Sequence, residues 1–178
     1  MQFNLNDGTA LLRRTPGVLR AFLTDLPDGW TGVTEGPGTW SPYDILGHMI
    51  HGERTDWIPR IEHILQRGDT EPFPSFDREA MFEASKGRTL AELLDTFDVE
   101  RARALTRLDE LSLTAADLDR PGLHPAFGHV RLGQHLSTWV VHDLTHINQI
   151  ARTIAAQYAE AVGPWRAYLS ILGRAHTP

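Results

Sequence analysis

The stretch WVVHDLTHINQI, residues 139–150, combines the apolar spacing of a long helix with two histidines and an aspartate. At about 100° per residue, the surrounding segment gathers one apolar face, formed by Leu132, Leu136, Trp139, Ile147, Ile150 and Ile154. His142 and His146 lie along one border of this face, and Asp143 falls near its middle. The pattern predicts a helix over about Arg131 to Glu160 whose inward face carries polar groups.

Two capping signals predict further long helices. In WSPYD, Ser41 can cap and Pro42 suits the first helical position, so a helix should run from there to about Arg67, with a kink at Pro59. Thr89 begins a capping-box sequence for a third helix. Its apolar positions recur at spacings of three and four, at Leu90, Leu93, Leu94, Phe97, Ala104, Leu105, Leu108 and Leu111.

The rest of the chain supplies a first helix and long connections. The first helix is predicted over about Thr9 to Leu26, bent or split at Pro16. Segments rich in Gly and Pro, such as PDGWTGVTEGPGTW and LTAADLDRPGLHPAFGH, read as connections. A short helix is expected around Arg78 to Ser85, VGPWRAYLSIL reads as a short C-terminal helix, and strand patterns are essentially missing. We therefore predict an all-α fold: one domain, residues 1–178, forming a four-helix bundle with long crossover connections.

Composition limits the classes of function. The chain has no cysteine, which excludes disulfides, thiolate metal sites and a cysteine nucleophile of its own, and fits a reducing compartment. The net charge is −6 and the arginines are scattered, so no nucleic-acid partner is expected. No apolar run is long enough to span a bilayer and the first residues lack a signal-peptide pattern. These features predict a cytoplasmic protein with no membrane partner.

The polar groups of the fourth helix are candidates for a metal site. Imidazoles at positions i and i+4 project from one side of a helix and can reach a single ion. The alternative is that His142 and His146 are partly buried, hydrogen-bonded core residues. Asp143 could accept the second N–H of a histidine ligand, but an arginine or a backbone amide would satisfy it equally well. Gln149 also points inward and could orient a ligand.

The second helix offers two more histidines, three residues apart. His48 and His51 both fall outside its apolar arc, so periodicity does not choose between them. Glu53 lies within that arc, where a salt bridge between helices is its simplest explanation. Among the remaining histidines, His135 is the best spare ligand. Four others remain: His124 and His129 could line the mouth of a site, whereas His63 and His176 are treated as structural or solvated.

The residues around these histidines resemble a known family. TWSPYDILGHMIHGERTDWIPR, then WVVHDLTHINQIAR and GPWRAYL, are similar to the DinB-like family of DNA-damage-inducible bundle proteins. The resemblance implies a four-helix bundle, often a homodimer, with a divalent metal held by three histidines. By residue, these are His48, His142 and His146. The resemblance, and not periodicity, selects His48 over His51. It also implies metal-dependent enzymes that use low-molecular-weight thiols such as bacillithiol, mycothiol or glutathione.

Three neutral imidazoles leave a divalent ion its charge and open coordination positions, the pattern of a catalytic site. Such an ion, here zinc, nickel or iron, can activate a bound water or a thiol. The leading hypothesis is a metal-dependent transferase or hydrolase acting on a small electrophile, with Asp143, Glu53 and Gln149 as candidate catalytic or supporting residues. The alternative is a non-catalytic, stress-related protein that binds a metal or another ligand. A zinc protease is less favoured, although HDLTH echoes the HExxH motif, because Asp143 is shorter than glutamate and points inward.

Overall fold

The computed structural model describes residues 3–173, and its first helical segment is split in two. These helices are α1 (Leu5–Leu12) and α2 (Thr15–Leu23). The predicted split at Pro16 is confirmed, because this proline lies in the first turn of α2, where its missing N–H needs no partner. The helical segment begins earlier than predicted because the Asn4 side chain caps α1, accepting a hydrogen bond from the Asp7 amide at 3.1 Å.

The second bundle helix is interrupted near the position predicted for a kink. It consists of α4 (Pro42–Thr55) and α5 (Trp57–Arg67), separated at Asp56, where φ is −114° and ψ is −65°. Pro59 lies three residues beyond the break. A proline ring clashes with the carbonyl of the residue four positions earlier, so the backbone departs from helical geometry between that carbonyl and the proline.

Capping boxes begin two of the helices, as predicted. The Asp44 amide donates to Ser41 Oγ at 3.2 Å, and the Ser41 amide donates to Asp44 Oδ2 at 3.0 Å. Thr89 and Glu92 make the same reciprocal pair at the start of α7 (Leu90–Glu110). Each box satisfies backbone N–H groups that have no partner inside the helix.

The short helix expected around Arg78 to Ser85 is confirmed, and other helical segments differ from the prediction. The last bundle helix, α8 (Leu132–Ala156), ends before Glu160. Two short helices lie in the connections: α3 (Asp28–Thr31), in a segment expected to be loop, and α6 (Ala80–Ser85). The predicted short C-terminal helix is confirmed, and the chain there forms two 3-10 helices, Gly163–Tyr168 and Ser170–Leu172.

The all-α prediction is confirmed apart from one short hairpin, for which the sequence shows no clear strand pattern. After a 3-10 turn, β1 (Pro121–His124) pairs with β2 (Gly128–Arg131) in an antiparallel hairpin. A Cβ at Gly122 would lie 2.7 Å from Ile64 Cγ1 and 3.0 Å from Phe73 Cζ, so only glycine fits this position without displacing the core. The hairpin is therefore packed directly onto α5.

The helices form the predicted four-helix bundle. Helix α4 packs on α7 and α8, α2 packs on α7, and α1 and α5 pack on α8. The buried apolar residues form two clusters, one centred on Trp139 and the other on Phe97. Within residues 3–173, no helix has both the length and the hydropathy needed to cross a membrane.

Candidate metal centre

Three histidines from two bundle helices converge at one point. His48 comes from α4, and His142 and His146 come from successive turns of α8. The Nε2 atom of His142 lies 3.1 Å from Nε2 of His48 and 3.0 Å from Nε2 of His146. One ring nitrogen from each residue lies within 4.8 Å of the other two. The structure thus brings together the three residues that the family resemblance selected.

This nitrogen cluster fits a divalent ion. Ligand nitrogens about 2.0–2.1 Å from a tetrahedral zinc ion are roughly 3.3 Å apart, close to the two separations of 3.0 and 3.1 Å seen here. Burial lowers the pKa of His48 to about 3 and that of His142 to about 2, and the neighbouring imidazoles add to both shifts. Burial also lowers the pKa of His146, against its hydrogen bond to Gln149. The imidazoles are therefore neutral near pH 7, the form that binds metal.

The surroundings orient the three rings in two different ways. Nδ1–H of His146 donates to Oε1 of Gln149 at 2.9 Å, which leaves its Nε2 lone pair facing the cluster. Nδ1 of His48 and Nδ1 of His142 are buried and have no hydrogen-bond partner in the described chain. Aromatic packing holds these two rings instead, with Trp40 and His48 centroids 4.8 Å apart and Trp57 and His142 centroids 4.9 Å apart.

The other candidate histidines lie outside this cluster. Nε2 of His51 is 3.4 Å from the hydroxyl of Thr55 on the same helix. His135 is buried, but its Nε2–H donates to the Trp57 carbonyl at 3.1 Å. Three more histidines have other contacts: His63 lies near the Glu71 carbonyl, His124 caps the hairpin turn, and His129 pairs with Asp69. His176 lies outside the described residues.

The two candidate carboxylates meet an arginine rather than the imidazoles. Glu53 of α4 and Asp143 of α8 both accept hydrogen bonds from Arg101 of α7, and each side chain in this group is at most 3% exposed. Asp143 also accepts from the Thr15 hydroxyl at 2.6 Å, and Glu53 accepts from the Trp139 indole N–H at 3.1 Å. We call Glu53, Arg101 and Asp143 the Arg101 cluster.

Arg101 lies close to a ring of each apolar cluster, Phe97 and Trp139, and the Arg101 cluster joins four helices. All five guanidinium N–H groups are used: two bonds go to Glu53, two to Asp143 and one to the Leu12 carbonyl, at 2.6–3.0 Å. Both carboxylates are therefore held as partners of the arginine. The HDLTH segment consequently lacks the free acidic group that a protease mechanism of the HExxH type requires.

A cavity opens beside the histidine cluster. Its volume is about 740 Å³, and its wall includes all three clustered histidines. The wall includes five aromatic side chains, Trp40, Trp57, Phe73, Phe76 and Phe127, together with the charged side chains of Arg60 and Arg78. A space of this size and lining is typical of a small-molecule site.

Sequence reasoning missed part of the cavity wall. Phe73, Phe76 and Phe127 come from the connection between α5 and α6 and from the hairpin turn, two segments that were interpreted as loops. His124, which was expected at the mouth of a site, does line the cavity. Asp56, at the helix break, is the one carboxylate among the described residues of this wall. Its Oδ1 lies 2.7 Å from Arg60 Nε, a close ion pair, although the angle between the groups is poor for a hydrogen bond. Burial raises the pKa of Asp56, while Arg60 and His51 act against that shift.

The four-helix bundle and the three-histidine cluster place the chain among helical-bundle proteins with a candidate metal site. The chain belongs to the DinB superfamily, whose family model matches residues 11–150. A similar solved structure is YfiT from Bacillus subtilis, described as a probable metal-dependent hydrolase with an unusual four-helix bundle topology. That protein is 20% identical, with a TM-score of 0.71 over 89% of this chain and 87% of its own. This similarity supports the fold. No curated protein matches the sequence.

Proposed function

We propose that this protein is a metal-dependent enzyme, a hydrolase or a thiol-dependent transferase, that acts on a small electrophilic substrate. The observation that carries the proposal is the convergence of three neutral imidazole nitrogens on the wall of an open, aromatic cavity. His48, His142 and His146 would hold the ion, which we expect to be zinc, nickel or iron. A three-histidine donor set is typical of catalytic metal sites, whereas structural sites have four protein ligands.

The residues around the cavity have separate roles in such a reaction. A divalent ion would lower the pKa of a bound water or thiol and would supply a positive charge that polarises an oxygen of the electrophilic substrate. The aromatic wall packs the apolar part of the substrate and excludes water from it. Asp56 is the proton acceptor that this wall offers, and its raised pKa brings it nearer to neutral pH. Gln149 keeps His146 in the tautomer with a free Nε2 lone pair.

The size of the cavity supports a second small molecule beside the substrate. A volume of about 740 Å³ is larger than a small electrophile needs. Because the chain has no cysteine, a thiol nucleophile would have to diffuse in as a cofactor. We therefore include a low-molecular-weight thiol as a proposed cofactor of the transferase reaction.

A reaction panel tests this proposal. The zinc-, nickel- and iron-loaded protein is mixed with activated esters, amides, epoxides and aryl halides, each with and without bacillithiol, mycothiol or glutathione. We expect turnover of at least one class, lost on chelation and in His142→Ala. Asn148→Ala is the matched control, because Asn148 is exposed on the same helix. Absence of metal-dependent turnover across the panel would contradict an enzymatic role.

One observation favours a non-catalytic alternative, in which the protein binds a metal or another ligand during stress. Glu53 and Asp143 are locked by Arg101, so two of the acidic groups considered for catalysis are occupied. In this alternative the metal stabilises the bundle without chemistry. Binding of cavity ligands that are recovered unchanged, with one equivalent of metal present, would support it.

We also propose that the protein is a homodimer, as the family resemblance implies. Trp165 and Tyr168, in the turns after α8, are 68% and 86% exposed, and large exposed aromatic side chains are common at interfaces. Light scattering coupled to size-exclusion chromatography tests this directly. A mass of one chain at micromolar concentration would contradict it.

A further inference from the structure

The Arg101 cluster carries an unbalanced charge inside the bundle. It contains one guanidinium and two carboxylates, and all three side chains are at most 3% exposed. Arg101 is fully hydrogen-bonded, with its five N–H groups shared among Glu53, Asp143 and one backbone carbonyl. Across residues 3–173, no second lysine or arginine forms an ion pair with either carboxylate.

The hydrogen bonds indicate that both carboxyl groups are ionised. Every recorded bond to Glu53 comes from a donor, either Arg101 or the indole N–H of Trp139. Asp143 likewise accepts from Arg101 and from the Thr15 hydroxyl. Arg101 donates to both oxygens of each carboxyl group, and this bidentate pairing is the one that a guanidinium makes with an ionised carboxylate. The cluster thus has a net charge of −1.

This charge lies next to the histidine cluster along both helices. Asp143 directly follows His142 on α8, and Glu53 follows His48 by five residues on α4. Asp143 also precedes His146 by three residues, a spacing that places the two side chains on the same face of α8. The sum of the three charges therefore acts on whatever occupies the histidine site.

We propose that the Arg101 cluster is the built-in counter-charge of the metal centre, whose surplus negative charge increases the affinity of the three neutral histidines for a divalent cation. The inference rests on the proposed metal site, not on any particular reaction. Three neutral ligands contribute no charge to a buried dication, and a buried charge without a partner is costly. A cation bound beside the cluster would offset the surplus negative charge of the cluster, and the cluster would offset the positive charge of the cation. Glu53 and Asp143 are therefore positioning residues that act through charge.

Two substitutions separate charge from structural support. Glu53→Gln preserves size and removes one negative charge, so the cluster becomes neutral. Arg101→Lys preserves the net charge but removes two of the five hydrogen-bond donors, which weakens the link between helices. Glu62→Gln is the control, because Glu62 carries the same charge in a partly exposed ion pair with Arg107. Asp143→Asn provides a second neutral cluster if Glu53→Gln does not fold.

Zn²⁺ and Ni²⁺ affinities are measured by competition with a chromophoric chelator on the metal-free full chain, after circular dichroism confirms folding. We expect Glu53→Gln, or Asp143→Asn, to bind both ions roughly tenfold or more weakly. Arg101→Lys should remain within about threefold of the wild type even where urea unfolding shows it is less stable, and Glu62→Gln should bind as the wild type does.

Two results would overturn the inference. One is unchanged affinity in the neutral-cluster variants. The other is affinity that follows stability across all variants, so that Arg101→Lys binds as weakly as Glu53→Gln; the cluster would then only support the fold. A wild-type chain that binds neither ion would instead contradict the metal site itself, so the two failures are distinguishable.

Discussion

Replacing Arg101 by Met should cause one of the largest stability losses available in this protein. The substitution removes five hydrogen bonds and leaves Glu53 and Asp143 facing each other without a cation. The three side chains are at most 3% exposed, so water cannot replace the lost partner. Breaking a buried ion pair by removing one partner costs roughly 3–5 kcal/mol.

The loss is measured by urea unfolding followed by tryptophan fluorescence, since Trp57 and Trp139 are both buried. With a slope of roughly 2 kcal/mol per molar urea, the midpoint should fall by about 1.5–2.5 M at pH 7. The control is Arg13→Met, which removes an exposed ion pair with Asp109 and should change stability by less than about 1 kcal/mol.

The loss of unfolding free energy in Arg101→Met should also depend on pH. Burial raises the pKa of Glu53 and Arg101 lowers it, so without the arginine this pKa rises further. A carboxyl group whose pKa is higher in the folded than in the unfolded state lowers the free energy of unfolding at pH values where the unfolded chain has released the proton. This effect disappears below the unfolded-state pKa, near 4.5. The deficit should therefore shrink as the pH falls towards that value. A loss below about 1 kcal/mol at pH 7, or a deficit independent of pH, would refute this reasoning.

Three further substitutions test other parts of the structure. Gln149→Leu removes the hydrogen-bond acceptor that orients His146. It should weaken metal binding about 10- to 100-fold, measured by chelator competition, whereas Asn148→Ala should leave metal binding unchanged. Burial lowers the pKa of His135 to about 4, so the unfolded chain binds more protons between that value and about 6.5. The metal-free protein should accordingly lose roughly 2 kcal/mol from this residue between pH 7 and 5, and His135→Gln should lack that loss in urea titrations. Gly122→Val forces a side chain into the core and should destabilise by about 1–3 kcal/mol, whereas Gly17→Ala, with open space around it, should not.

The long helices of the bundle could be predicted because their signals are local. The caps at Ser41 and Thr89 and the apolar spacing of α7 depend only on neighbouring residues, and the structure confirms them. The hairpin could not be found in this way. Its strands have four residues each and include a proline and two glycines, and they are stabilised by packing on α5 rather than by their own pattern.

The site shows the same division between local and tertiary information. His142 and His146 were identified from the i, i+4 spacing on one helix, but periodicity could not choose between His48 and His51. That choice depends on how α4 is rotated against α8, and Glu53, Arg101 and Asp143 hold those helices to α7. The sequence placed both carboxylates inward. It could not identify their common partner, because Arg101 lies about 50 residues from one and 40 from the other.

The most direct test of the metal centre is the metal content of the untagged protein, determined by elemental mass spectrometry after gel filtration. We predict about one equivalent of zinc, nickel or iron per wild-type chain. His48→Ala, His142→Ala and His146→Ala should each retain little metal while remaining helical by circular dichroism, and His51→Ala should retain the full equivalent. Metal-free wild type that takes up no divalent ion, or full metal content in the three histidine variants, would contradict the assignment.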